Sequence, residues 1–392
     1  MQYDKRPLLY SEGVESIPAD ESDDIQRVVA AMKLILARTQ SQSGQFRADV
    51  HVKTHGYAEG ELRVLSNLPE ELAQGLFEQA AVYRTVVRFS NAASQAQADA
   101  LPDGRGMGIK VFGVTGEMMS AEDQSGPTQD FLMINHPVFF ARNVKDFLRV
   151  ERLLADAKDG PLATAQEALT GGDWNPLNWH WREMLTVARI IGQLPAHPAS
   201  NTYFSASPIR FGRYVAKYRV QPAGDRLDSY VDLIKRLGTQ NDAMRLALEE
   251  TLRTQEVLFE FQVQLRTSEQ SMPIEDPTIE WSENESPYRT VAHLLLPRQQ
   301  MESLRHQADY QNLAFNVWHA LAAHRPLGGI NRIRRLAYPV SSTWRRQQTT
   351  TTSNSPIKPD EGDCQSASGK TSDYRACSSG EAGAASVAVS QK

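Results

Sequence analysis

Three short runs, GELRVLS (60–66), YRTVVRFSN (83–91) and GMGIKVFGV (106–114), constrain the fold more than any other feature of the sequence. Each is rich in β-branched or aromatic residues and bounded by Gly, Asn or Asp, so they read as successive strands of an antiparallel sheet. VAKYRVQP (215–222) and VLFEFQVQLR (257–266) add two later strands, the second with clear alternation. Helical periodicity appears instead in DDIQRVVAAMKLILARTQ (23–40), VKDFLRVERLLADAK (144–158), WREMLTVARIIGQL (181–194), residues 227–254 and LAFNVWHALAAH (313–324). Strands and helices grouped without βαβ alternation predict an α+β fold, an antiparallel sheet or barrel dressed with helices.

Composition narrows the function classes. With 41% hydrophobic residues, 392 residues suffice for one large domain or two ordinary ones. A formal charge of -5 over 42 basic and 47 acidic residues gives no global attraction to nucleic acid. No apolar stretch approaches the roughly 20 residues of a spanning helix, and the opening MQYDKRPLLYSEGVE lacks a signal-peptide core, so a cytoplasmic protein without an integral membrane segment is expected. Both cysteines, Cys364 and Cys377, fall in a tail rich in Ser, Thr, Gly and Ala that is expected to be disordered from residue 349. The expected division is an N-terminal segment (1–20), a folded body (21–348) and that tail (349–392). A body without thiols excludes zinc-ribbon, iron–sulfur and thiolate-ligated haem schemes. No nucleotide fingerprint occurs; GGIN and GRGMG lack the spacing of a phosphate loop.

FRADVHVKTHG (46–56) places two histidines four residues apart. On a helix they would share a face as metal ligands, but the flanking residues alternate as in a strand. There i and i+4 are separated by about 13 Å, too far for one zinc ion. The pair alone reads as a structural or polar feature.

Its neighbours add more. VVRFSNAASQAQADALPDGRGMGIKVFG (86–113) carries Arg88, Phe89 and Ser90, then Asp103, Arg105 and Gly106, then Lys110. With His51 in a Val-His-x-Lys setting 37 residues before Arg88, this resembles the haem catalase family, whose corresponding stretch reads Arg-Phe-Ser, a polar loop, then Asp-x-Arg-Gly-x-x-x-Lys-Phe. DFLMINHPVFFARNVKDF (130–147) is similar to the family's Asn-Asn-Thr-Pro-Ile-Phe-Phe-Ile-Arg segment, and INRIRRLAYP (330–339) to its Arg-x-x-x-Tyr-Pro element. The resemblance spans residues 20 to 347, and FNVWHALAAHRPLGGINRIRR and SNTYFSASPIRFGRYVAKYRV look like the small catalase-related peroxidases that lack the large enzymes' terminal extensions.

The resemblance implies a catalase-type antiparallel β-barrel of about eight strands holding haem b, and a haem-dependent peroxidase or catalase acting on hydrogen peroxide or organic peroxides with a reducing donor of unknown identity. It implies Tyr338 as the iron ligand, with Arg334 one helical turn earlier to favour the phenolate over a phenol of free pKa near 10. It implies His51 as the base that moves a proton between peroxide oxygens, oriented by Ser90, with the Asn135 amide positioning the peroxide. Phe139 and Phe147 would form an apolar wall, and Arg88 and Arg345 would meet the haem propionates. Where the family has a third arginine, three residues before the histidine, Ala48 stands here, with Arg47 one further back. A gapless alignment also puts Ile134 rather than Asn135 at the family's distal amide, and Ala92 where larger catalases carry valine at the access channel. His55, His136 and His319 are expected to be structural or haem-peripheral.

Two other functions fit the same residues less completely. A fatty-acid hydroperoxide isomerase or lyase of the allene oxide synthase kind would use the same haem and tyrosine. A haem carrier without turnover would not need the His51–Ser90 pair. Oligomeric state is not encoded in any motif, and assembly of identical copies is left open.

Overall fold

The computed structural model describes residues 6–43, 51, 53–92, 98–119, 126–156, 166–167, 170–171, 173, 175–179, 181–224, 232, 241–301, 310 and 313–352. Nine strands run through them: β1 (Thr54–Val64), β2 (Val82–Asn91), β3 (Arg105–Phe112), β4 (Thr128–Ile134), β5 (Tyr203–Phe204), β6 (Ile209–Phe211), β7 (Tyr214–Pro222), β8 (Val257–Leu265) and β9 (Arg289–Leu296). The order β5-β4-β3-β2-β1-β9-β8-β7 is antiparallel at every pairing, and β5 also pairs with β7. Eight strands therefore close a barrel, and β6 hangs on β7 as a hairpin. Closure leaves no exposed sheet edge in the ring.

Strand alternation decides what the barrel holds. Val87 and Phe89, Met107 and Ile109, Phe131 and Met133 point inward to a buried core shared with Phe259, Phe261 and Tyr218. The aromatic rings interlock at its centre, with Phe131 edge-on to Phe261 at 4.7 Å and Phe77 5.3 Å from Phe261. The residues between them, Arg88 and Ser90, Gly106 and Gly108, Leu132 and Ile134, face out of the barrel.

Among the described residues five helices pack around or across the barrel: α1 (Glu21–Ser43), α2 (Val144–Asp156), α3 (Trp181–Ile191), α4 (Ala243–Thr254) and α5 (Gly329–Thr352). Helix α1 begins with Glu21, Asp23 and Asp24, acidic groups that favour the positive end of its dipole. Its apolar stripe of Ile25, Val28 and Met32 meets Val144 and Leu148 of α2 and Ile330, Ile333 and Ala337 of α5 in a second core outside the barrel. Arg332 fixes the start of α5. Its guanidinium reaches Glu15 of the N-terminal segment, Glu21 of α1 (2.8 Å) and Glu275 (2.7 Å). Burial lowers the Arg332 pKa, but Glu21 and Glu275 outweigh it and hold the guanidinium above even the usual arginine range.

β1, β2, β3, β7 and β8 are the strands the sequence predicts. β4 escapes because it buries a charge: Asp130 accepts from Lys110 Nζ at 2.8 and 2.9 Å, and both side chains are inaccessible. The predicted helix at 313–324 is not formed, apart from a 3-10 turn at Ala322–His324. Its backbone is claimed by the barrel instead: Asn316 N–H donates to Asp130, Asp130 N–H donates to the His319 carbonyl, and Leu321 N–H donates to Gln129. Tertiary hydrogen bonds here override local helical preference. Among the described residues no helix is long and apolar enough to cross a membrane.

Candidate functional site

The outward faces of β2, β3 and β4 form one wall of a cleft, and α5 with the segment around Leu313 and Phe315 forms the other. It encloses about 900 Å³ of atom-free space, including its open mouth. The barrel wall is two cross-strand rows. One is Ser90–Gly106–Ile134, the next Arg88–Gly108–Leu132.

Glycine at both central positions lets other groups lie flat on this wall. A Cβ on Gly106 would stand 2.5 Å from His51 Nδ1 and 2.8 Å from Ser90 Oγ, and one on Gly108 would stand 3.0 Å from the Phe315 ring. Sequence reasoning takes this Gly-x-Gly as part of a motif without its purpose. The signal was there, since glycine repeated at i and i+2 in a strand marks close approach on one face.

His51 sits just before β1 with φ of +55°, a left-handed conformation that a non-glycine residue adopts only where its surroundings enforce it. Three contacts do so. Its N–H donates to the Ala92 carbonyl (3.4 Å), its carbonyl accepts from Arg88 Nη2 (2.8 Å), and its Nδ1 lies 3.1 Å from Ser90 Oγ. Desolvation, helped by the nearby charges of Arg88 and Arg334 and opposed by a hydrogen bond to the Asn91 backbone, pulls the imidazole pKa down to about 4. The ring is neutral at pH 7. When Nδ1 carries the proton and donates it to Ser90, Nε2 keeps its lone pair and acts as a base.

On the opposite wall Arg334 and Tyr338, one helical turn apart on α5, both border the cleft. Arg334 donates to Asn331 Oδ1 (3.1 Å) and lies 5.7 Å from the centre of the Phe139 ring. Arg88 completes the charged lining while its Nη2 also donates to Thr54 (2.6 Å).

The structure thus brings His51, Ser90, Arg88, Arg334 and Tyr338 to one cleft. It does not bring Asn135. With β3 and β4 in unbroken register from Gly106–Ile134 to Phe112–Thr128, alternation turns Ile134 into the cleft and Asn135 away from it. The Asn135 amide accepts from Arg105 N–H (2.7 Å) and donates to Gln193 (2.6 Å), closing the end of the barrel. Phe139 and Phe147 do not line the cleft either. With Phe140 they form a ring cluster, 4.4 to 6.1 Å between centres, packed onto the α1–α2–α5 core beside Arg334. Arg345 continues α5, but its side chain lies outside the described residues, as do Arg47 and Ala48. Ala92 packs beneath Gly104, whose added Cβ would meet it at 2.9 Å, and does not border the cleft.

The second histidine of the sequence pair is elsewhere. His55 lies at the irregularity between Thr54 and Gly56 and is 1% exposed, with Nε2 2.7 Å from Asn91 Oδ1. It too is held near pKa 4 by burial, against the pull of Asp99. His319 joins the Lys110–Asp130 pair (3.2 Å to Asp130), and His136 hydrogen-bonds at Val138. Among the described residues no three His, Cys, Asp or Glu side chains form a metal cluster.

Neither a protein-family model nor a curated protein matches this sequence. Its likeness is to solved structures. A fungal catalase shares 18% identity and a TM-score of 0.59, over 87% of this chain and 66% of its own. Catalase A from Saccharomyces cerevisiae shares 16% identity and a TM-score of 0.60 (87% and 68%), and a bacterial catalase 16% and 0.55 (88% and 64%). The chain spans about two thirds of the length of these proteins, and at this identity the likeness establishes the fold: a catalase-type β-barrel with surrounding helices.

Proposed function

We propose that this chain binds haem in the cleft and cleaves peroxides there, as a peroxidase or catalase-like enzyme. The observation that carries the reading is the pairing across one cleft of a neutral, Ser90-held His51 on the barrel wall with Tyr338 and Arg334 on α5. The residues present fit the cofactor. Gly106 and Gly108 leave room for His51 and Phe315 to lie against the barrel wall, and Arg88 offers a guanidinium group to one of the cofactor's carboxylates. Tyr338 is the only phenol among the described lining residues and the candidate ligand. Arg345, in the same helix, is a further candidate for a carboxylate contact.

Haem iron, when bound, supplies the redox capacity that breaking an O–O bond requires. The chain supplies the proton handling. His51 Nε2 takes the proton from the peroxide O–H and returns it to the oxygen that leaves, while Ser90 fixes the ring plane and tautomer. Net reduction of ROOH to ROH and water consumes two electrons and two protons, which two molecules of a phenolic donor can provide. A second hydrogen peroxide molecule can serve instead and leaves as oxygen.

A carrier without turnover has no use for a neutral base held in a strained conformation opposite the ligand. Isomerisation of a hydroperoxide needs no donor and is distinguished by stoichiometry: product formed without donor consumed. The test of the haem site is Tyr338→Phe. The variant is expected to lose most bound haem, or to change its visible spectrum, in purified protein of unchanged circular dichroism. Full haem content with an unshifted spectrum would remove Tyr338 as ligand.

A further inference from the structure

Resting on the haem-peroxide reading above, we propose a second place where reducing donors are oxidised: Tyr57 and Tyr310, beside the cleft but outside it, form a redox-active pair that passes electrons from phenolic donors too large for the cleft to the cofactor within it. Tyr57 stands directly opposite Arg88 in the β1–β2 ladder, so the two side chains share the outward face of the barrel, with Cβ atoms about 5 Å apart. Arg88 lines the cleft. Tyr310 reaches the same rim from the covering segment, where its carbonyl accepts from the N–H of Leu313, a residue that borders the cleft together with Phe315. The two phenol rings then meet, with centres 6.1 Å apart and planes inclined at 45°.

A phenol that loses an electron becomes a strong acid, so its oxidation at neutral pH needs a base at the hydroxyl. Tyr310 Oη donates to Glu59 Oε1, and Glu59 lies on the same face of β1 as Tyr57. The hydrogen bond from Tyr310, joined by one from Arg84 Nη2 (3.1 Å), holds Glu59 below the usual carboxylate range, so the acceptor is ionised. Burial, reinforced by the bond to Glu59, raises the Tyr310 phenol, which keeps its proton until an electron is removed. Other candidates lack this combination. Tyr10 also meets a carboxylate, but Arg210 lies 4.5 Å over its ring centre and Arg325 donates to its hydroxyl (2.9 Å), two cations that oppose the loss of an electron. Trp179 and Trp181 pair at 5.1 Å, but both indole N–H groups donate to backbone carbonyls, which take up no proton.

Each cycle of the pair moves one electron. Tyr310 gives an electron to the cofactor and its hydroxyl proton to Glu59, leaving a tyrosyl radical beside a neutral carboxylic acid. A donor phenol resting on the half-buried Tyr57 then supplies an electron, and Tyr310 recovers its proton from Glu59. The donor releases its own proton to solvent and leaves as a phenoxyl radical. Two cycles provide the two electrons, and solvent the two protons, that convert ROOH to ROH and water.

The experiment uses the full chain loaded with haem, hydrogen peroxide as oxidant, and two donors of the same chemistry: free tyramine, and tyramine coupled to dextran, which the cleft cannot admit. Wild type is expected to oxidise both. Tyr310→Phe and Tyr57→Phe should each lower kcat/KM for the conjugate by ~10-fold or more and leave free tyramine within about threefold of wild type. Glu59→Gln, which keeps the shape but not the proton acceptor, should lower the conjugate rate at unchanged haem content. A readout separate from turnover is electron paramagnetic resonance of samples frozen after one equivalent of peroxide without donor. Wild type should give a tyrosyl signal that narrows with ring-deuterated tyrosine and is largely lost in Tyr310→Phe. A wild type that oxidises free tyramine but not the conjugate, equal losses on both donors, or a tyrosyl signal unchanged in Tyr310→Phe overturns the proposal and leaves the haem reading intact. Haem bound with no peroxide consumed and neither donor oxidised overturns the haem-peroxide reading, and the relay with it.

Discussion

Ser90 and Asn91 are neighbours on β2, and each serves a histidine. Ser90 faces out of the barrel and holds His51 in the cleft; Asn91 faces in and holds His55 at the sealed end, in a row with Arg105 and Asn135. Both imidazoles are desolvated, both are neutral with pKa near 4, and both have one ring nitrogen beside a polar side chain. The pKa alone does not separate them, although cations (Arg88 and Arg334) face His51 and a carboxylate (Asp99) faces His55. They differ in access: His51 borders open space and is held in a left-handed backbone, whereas His55 is 1% exposed, at the irregularity in β1. A depressed pKa therefore marks burial, and only together with a substrate-sized space does it mark a candidate base.

Alanine substitution at each histidine offers the most direct way to break this comparison. His51→Ala should lower the rate of peroxide cleavage by ~10²- to 10⁴-fold, the range for a lost general base, with haem content unchanged. His55→Ala should leave the rate within a few-fold of wild type but strip Asn91 of its buried partner, lowering stability by about 1–3 kcal/mol in thermal or denaturant unfolding. If His55→Ala silenced the enzyme and His51→Ala did not, the roles assigned by access would be reversed.

Acid titration separates the two through different observables. A histidine whose folded pKa is near 4 and whose unfolded pKa is near 6.5 leaves the unfolded state binding more protons between those values. Stability from His55 is then complete above pH 6.5 and is lost as pH falls toward 4, by on the order of 3 kcal/mol. Activity governed by His51 should instead hold level down to pH 5 and fall only near 4. His55→Gln should remove only its own share of the stability slope, to which His51 and His324 also contribute, while leaving the acid limb of the rate where it was. A rate profile that moved with the His55 substitution would show the two sites to be coupled.

Gly106→Ala gives the smallest effect and the sharpest test of geometry. The nearest atoms to the added methyl group would be those of the His51 ring and Ser90. Activity should fall by about tenfold with the rate at saturating peroxide most affected, in keeping with a displaced proton-transfer group. Unchanged kinetics would mean that the ring has another seat.

Much of this comparison was legible in the sequence, for reasons that differ by residue. His51, Arg88, Ser90, Arg334 and Tyr338 sit at motif positions, and the cleft collects them. The α+β class and five strands followed from β-branched runs bounded by turn residues. Asn135 went the other way because side-chain direction in a strand depends on register, which composition cannot specify; a shift of one residue exchanges Ile134 for Asn135. Strand β4 was obscured by Asp130, which looks like a surface residue until Lys110 is placed opposite it. The segment 313–324 has helical periodicity, but its partners lie far away in sequence, on β4.

The clamp on Arg332 ties the opening of the chain to its last described helix. In order of synthesis, the wall bearing His51 and Ser90 emerges early, and the helix bearing Tyr338 emerges after every barrel strand. Until that helix arrives, Glu15 and Glu21 lack the cation they enclose, and the cleft has one side. Docking of this helix and closure of the site are thus a single event, so a nascent chain whose residues 329–352 have not yet emerged would display a barrel unable to retain whatever the finished cleft holds.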